Sequence, residues 1–265
     1  GNYMDYVAVA LAALLVSGLA LYSGFGLGTL LMPVFALFFP IPVAVASTAF
    51  VHLANNFFKI IIVGKKADLK TVFAFGLPAA VMAVLGALLL VQISDVAPLG
   101  NYNLGGNDFS VTTLNLVIAI LILSFAAFEL IPALRKLELP RKFIPLGGGV
   151  SGFFGGLSGH QGALRAAVLA KTGLDTSSFV GTAAVCAMIV DVSRIIVYGV
   201  TFFSDDFSAV AEGNSINLVA VATIAAFVGT YTSSKFVQKV TMEKVRLLVG
   251  IMLVSIGLSL GAGLI

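Results

Sequence analysis

Charge is scarce in this sequence, and cysteine and histidine are scarcer still. Only 10% of the 265 residues are Asp, Glu, Lys or Arg; two are histidine and one is cysteine. The single Cys186 lies in an apolar run, which excludes a disulfide framework and a cysteine-based metal site. No HExxH pair, P-loop, carboxylate pair or Ser-His-Asp pattern is placed for catalysis, so neither an enzyme nor a cofactor or metal is expected. Gly24-x-Gly26-x-Gly28 has no preceding strand in a βαβ unit and no suitable acid after it, so it is not a dinucleotide loop. A long soluble domain and a low-complexity linker are missing as well.

Apolar residues fill the space. They make up 59% of the chain, and the mean hydropathy is +1.09. A water-soluble domain of this size could not hide so much apolar surface, whereas a lipid-facing exterior removes the problem. Apolar segments run roughly over 6–23, 26–39, 43–63, 70–93, 112–134, 144–157, 162–172, 178–203, 216–238 and 244–264. Most can span a bilayer at about 1.5 Å per residue; those at 26–39, 144–157 and 162–172 are too short. Each short run lies beside a glycine cluster: Gly24, Gly26 and Gly28, then Gly152, Gly155, Gly156, Gly159 and Gly162. Residues 6–23 are too long, and too closely followed by further apolar runs, to read as a cleaved signal. The expected class is an all-α polytopic membrane protein, with broken or half-spanning helices at the glycine clusters.

The halves resemble each other at a constant offset of 134, since 152 − 18 = 134 and 182 − 48 = 134. Val16-Ser17-Gly18 matches Val150-Ser151-Gly152, Gly28 matches Gly162, and Thr48-Ala49 matches Thr182-Ala183. This reads as two repeats of about five helical segments, at 1–134 and 144–265, joined by a linker at 135–143.

Charge orients them. Of the fifteen basic residues, all but Arg165 and Arg194 lie at or near the gaps between apolar runs. That pattern serves topology, so the pI near 9.0 does not point to nucleic acid. Gaps 64–70, 135–143 and 235–246 carry Lys and Arg and are expected in the cytoplasm. Gaps 94–111 and 204–215 carry Asp95, Asp108, Asp205, Asp206 and Glu212 with no base, and are expected outside. The repeats are then inverted, and both termini fall outside an inner (cytoplasmic) membrane.

Broken helices in inverted-repeat transporters bring helix N-termini, with their partial positive charge and unpaired N–H groups, to the bilayer midplane. The breaks are expected at Gly26-Leu27-Gly28-Thr29 and Gly159-His160-Gln161-Gly162. Tight helix packing is the plainer role for such glycines. Arg165, one turn after Gly162, suits an oxyanion, against a salt bridge to Asp191 or Glu129. His160 and Gln161 could donate to the same anion, and His160 could carry a proton. His52 and Asn56 share a helix face with Asn55 close by, and are read as lining a cavity. Asp191 and Arg194, at i and i+3, read as a structural ion pair. Thr48 and Thr182 could bind ligand or bond to their own helices. Pro33, Pro78 and Pro132 read as kinks.

Two stretches carry a family resemblance. One is Ser23-Gly-Phe-Gly-Leu-Gly-Thr-Leu-Leu-Met-Pro33 with Pro42-Val-Ala-Val-Ala-Ser-Thr48; the other is Gly152-Phe-Phe-Gly-Gly-Leu-Ser-Gly-His-Gln-Gly162 with Phe179-Val-Gly-Thr182. Through them nearly the whole chain resembles the sulfite exporter TauE/SafE family of membrane permeases. That resemblance implies transport of sulfite, a sulfonate or a related organosulfur anion. The family more often has a plain glycine run where this chain has Ser158-Gly-His-Gln-Gly162. The partners expected are a small anion and the lipid bilayer; a coupling proton or cation and a homodimer stay open. The competing readings are an anion channel on the same scaffold and a carrier of a small carboxylate.

Overall fold

The computed structural model describes residues 3–23, 27–205, 215–233 and 242–265. Among them are eleven α-helices. The first half contains α1 (Tyr3–Ser23), α2 (Leu27–Phe35), α3 (Ile41–Val63), α4 (Leu69–Ser94) and α5 (Thr113–Leu130). A short α6 (Pro132–Arg135) leads into α7 (Ile144–Ser158), α8 (Gly162–Leu169), α9 (Thr176–Asp205), α10 (Ser215–Ser233) and α11 (Met242–Gly261). Four described helices are long and apolar enough to cross a membrane: Ile41–Lys66, Leu69–Ser94, Thr113–Leu130 and Thr176–Thr201. Large apolar side chains point outward in long stripes, as on α4, where Leu69, Phe73, Leu77, Val81 and Leu85 are all exposed. In water such a stripe would be a liability; in a bilayer it is the lipid face.

Local chemistry sets the helix ends. Asp68 caps α4, accepting from the Thr71 backbone N–H at 3.1 Å and from the Thr71 hydroxyl. Thr112 caps α5 through the Asn115 N–H at 3.0 Å. Helix α7 stops at Gly159, whose φ of 84° closes the last turn with a bond from its N–H to the Gly155 carbonyl at 2.9 Å. Glycine takes that left-handed conformation without strain.

The two ends of the molecule differ in charge. At one end Arg141 donates to the Lys171 carbonyl at 3.1 Å and to the Thr172 carbonyl, while the Asp68 N–H donates to Thr182 Oγ1 at 2.9 Å. Lys65, Lys66, Lys70, Lys142 and Lys171 belong to these same turns. At the other end a hairpin, β1 (Gly100–Leu104) with β2 (Asn107–Val111), carries Asp108. It is tied to the chain end by Tyr102, whose hydroxyl donates to the Ala262 carbonyl at 2.6 Å. The sequence marks 94–111 only as an acidic gap between apolar runs. The hairpin forms around Gly105 and Gly106, both with positive φ.

The halves pack by exchange. Helix α4 lies along α7 and α10 along α1, while α3 meets α9 and α5 meets α11. Each half thus sets its fourth helix against the other half's first. Helix α8 returns to the basic end, where the Leu139 N–H donates to the Ala167 carbonyl at 3.0 Å. Helix α2 returns to the opposite end, where Ala36 and Phe39 share a cavity wall with Ser94, Thr112 and Ile265.

The second break falls at Gly159–Gly162, as the sequence predicts, and the other glycines of that cluster, Gly152, Gly155 and Gly156, lie inside α7. Gly148, Gly152 and Gly156 turn to α4, where an added Cβ would strike the carbonyl oxygens of Phe75, Ala79 and Ala83. Small residues four apart let two helix backbones touch in lipid. Pro132 opens α6 at its first turn and kinks nothing, since the missing N–H is free there in any case. Pro33 and Pro78 do lie inside helices.

Candidate functional site

The two broken-helix pairs meet. A Cβ placed on Gly28, at the start of α2, would come within 2.8 Å of the Gly159 carbonyl oxygen at the end of α7. A Cβ on Gly159 would in turn lie 3.0 Å from Arg194 Nη1. Two helix breaks and a guanidinium therefore share one small volume. Gly26 lies outside the described residues; Thr29 is buried one residue after Gly28.

Asp191 on α9 is the hub. Its Oδ1 accepts from Arg194 Nη2 at 2.8 Å, Arg194 Nε at 3.1 Å and Gln161 Nε2 at 3.1 Å. Its Oδ2 lies 2.6 Å from His52 Nδ1 and accepts from Asn56 Nδ2 at 3.3 Å. With Nδ1 protonated toward Asp191, the Asn56 amide, 3.1 Å from that nitrogen, has the carboxylate as its acceptor. Asp191 and Arg194 are both 0% exposed. A carboxylate so deep is tolerable only when hydrogen bonds replace its lost water, and five donor atoms do so here.

Gln161 joins the ion cluster to the helix break. Its Oε1 accepts from Arg165 Nη1 at 2.8 Å while its Nε2 donates to Asp191. Its backbone carbonyl accepts from the Arg165 N–H at 3.0 Å and from the Ser151 hydroxyl at 3.0 Å, which ties the start of α8 back to α7. Gly162 is the first residue of α8. Arg165 is half-buried, its guanidinium on a neutral partner and not in an ion pair with Asp191 or Glu129. His160 Nδ1 is 2.8 Å from Ser158 Oγ, and its ring stacks on Phe125 with centroids 5.1 Å apart. Among the described residues, three buried side-chain nitrogens hold no hydrogen bond: Asn55 Nδ2, His160 Nε2 and Arg194 Nη1.

The structure thus gathers His52, Asn56, Gln161, Asp191 and Arg194 into one network, with Gly28, Gly159, His160 and Arg165 beside it. Thr48 bonds its own helix through the Ala44 carbonyl at 2.8 Å, and Thr182 holds the turn before α4. Sequence reading missed Ser151, although it stands in the repeated Val-Ser-Gly motif. It also missed Tyr198, which is 3% exposed and donates to the Gly156 carbonyl. No short-range pattern marked that tyrosine.

The family model for the sulfite exporter TauE/SafE family matches residues 6–260. The chain belongs to that family. It is a family of membrane transporters, and the match takes in both glycine breaks and the whole ion cluster. No curated relative and no solved structure matches the chain significantly. Among the described residues no group of His, Cys, Asp and Glu is placed to hold a metal ion.

Proposed function

We propose that this TauE/SafE member is a secondary transporter of a small anion, of the sulfite, sulfonate or related organosulfur class. The anion binds where the two broken-helix pairs meet and crosses by alternating access. One observation carries the reading: two guanidiniums, Arg165 and Arg194, stand at the meeting point against one carboxylate, Asp191. With His52 neutral, the centre has an excess of one positive charge (two minus one), and an unbalanced charge at such depth calls for a mobile counter-ion. The start of α8 adds a partial positive charge and backbone donors beside Arg165. Arg165 is the natural first contact, because it is half-buried while Arg194 is sealed.

The two repeats, with boundaries at 134 and 144, are inverted copies that meet at this junction. The exchange-symmetric packing of α4 on α7 and of α10 on α1 supports that assignment. The basic end faces the cytoplasm of the cell's inner membrane.

Purified protein in liposomes supplies the test. A carrier should catalyse saturable uptake of labelled sulfite or a small sulfonate, speeded when the lumen is preloaded with the same anion. Unitary currents without such counterflow would make it a channel. Counterflow with small carboxylates but not with sulfur oxyanions would move the substrate class.

A further inference from the structure

We propose that the basic end carries a binding site for the phosphate headgroup of an anionic phospholipid, between the starts of α4 and α7. A cavity of about 550 Å³ opens there, lined by Lys70, Thr71, Arg141, Lys142, Pro145 and Thr172 among others. Three cations converge on it against one acid, Asp68. Lys65, Lys66 and Lys136 belong to the same end but do not line it. Basic turns are general in membrane proteins; a concavity that collects three cations is more specific.

The arrangement is built. Arg141 is held by the Lys171 and Thr172 carbonyls. The turn that supplies them needs Gly173, with φ of 71° and with the Arg141 guanidinium 3.2 Å from where its Cβ would be. The guanidinium is therefore placed before any ligand arrives, and less ordering is needed on binding. Asp68 does not cancel the field. Its carboxyl bonds to the Thr71 hydroxyl and N–H, which hold it below the usual carboxylate range and turn it into its own helix cap. Helix α7 begins in the cavity wall at Ile144 and Pro145, adding the partial positive charge of an N-terminus.

The surroundings select a lipid over a soluble phosphate. The stripe Leu69, Phe73 and Leu77, exposed by 66%, 61% and 64%, begins at the residue between Asp68 and Lys70 of the cavity wall and runs along α4. A phosphate among Lys70, Arg141 and Lys142 leaves an acyl chain to lie along that stripe. Clusters of Lys and Arg at the membrane surface attract anionic headgroups in this way.

The test uses the full chain in neutral detergent, titrated with phosphatidylglycerol, phosphatidylcholine or inorganic phosphate. Thermal unfolding and native mass spectrometry supply the readouts. Phosphatidylglycerol alone should stabilise the protein and survive as a bound adduct. The triple variant Lys70→Gln, Arg141→Gln, Lys142→Gln should lose at least tenfold in apparent affinity. The matched triple Lys65→Gln, Lys66→Gln, Lys136→Gln should stay within about twofold of the parent. Equal losses in both triples would reduce the effect to diffuse surface charge and overturn the site. Equal stabilisation by inorganic phosphate would overturn the lipid in favour of a small phosphorylated ligand. If loss of Arg141 unfolds the loop, the double variant Lys70→Gln, Lys142→Gln carries the same expectation, and its unchanged affinity overturns the proposal.

Discussion

His52 Nδ1 on α3 and Asp191 Oδ2 on α9 stand 2.6 Å apart, although 139 positions separate them in the chain. Each half of the molecule contributes one member, and the contact lies where α3 and α9 pack. The halves are not chemically equal around it. At the 134-residue offset, Asp191 corresponds to Phe57, Arg194 to Ile60, Arg165 to Leu31 and Gln161 to Leu27. The second half brings the charges; the first answers with His52 and Asn56.

Asp191 is therefore expected to be the most sensitive position for folding. Asp191→Asn leaves Arg194 fully buried without a counter-charge, at a cost of roughly 3–5 kcal/mol. The double variant Asp191→Asn, Arg194→Gln removes both charges and should regain most of that stability. Thermal unfolding of detergent-solubilised protein checks both. An Asp191→Asn protein as stable as the parent would mean that Arg194 is not held by this carboxylate.

Much of this was legible in the sequence. The all-α class, the polytopic character and the half-length segments followed from apolar runs and glycines, because lipid demands long apolar helices and tolerates breaks only at protected places. The i, i+3 spacing of Asp191 and Arg194 was visible because a helix brings such residues together. The His52–Asp191 contact was not, because no local pattern encodes a pairing between helices so far apart in the chain. Gln161 was read as an anion donor, yet its side chain is bonded at both ends inside the protein. Glycine was the most ambiguous signal, since one residue serves both to end a helix, at Gly159, and to let helices touch, at Gly152 and Gly156.

The second of those roles gives a graded prediction. Gly152→Ala and Gly156→Ala each drive a methyl into the backbone of α4, at the carbonyls of Ala79 and Ala83, which cannot swing aside. Each should destabilise by about 1–3 kcal/mol. At Gly199 nothing lies within 4 Å of the added Cβ. Gly199→Ala should be neutral or stabilising by up to about 1 kcal/mol, because alanine is the better helix former. Thermal unfolding of the three variants measures the order.

Orientation can be checked with single cysteines in a Cys186→Ala background. Asn101→Cys lies on the hairpin and Glu138→Cys in the basic turn between the halves, and both positions are exposed. An impermeant thiol reagent added to intact cells should label position 101, and should label position 138 only after the membrane is opened. Labelling of both from the same side would dismantle the inverted-repeat assignment.

Arg165 decides the transport reading. Its guanidinium is half-buried, held by the neutral Gln161 oxygen 2.8 Å away, and stands in the first turns of α8. That setting leaves its positive charge uncancelled. A charge-assisted hydrogen bond contributes roughly 1.5–3 kcal/mol, and tenfold in affinity corresponds to about 1.4 kcal/mol. Arg165→Gln should therefore weaken binding of sulfite or a small sulfonate at least tenfold, read as loss of ligand-induced thermal stabilisation. The variant should unfold near the parent temperature without ligand, because no carboxylate is left unpaired. Arg165→Lys should restore only part of the affinity, since an ammonium keeps the charge but lacks the planar fork. Parental affinity in Arg165→Gln would move anion recognition away from this residue, to the Gly28–Gly159 junction and the nitrogen that Arg194 presents there.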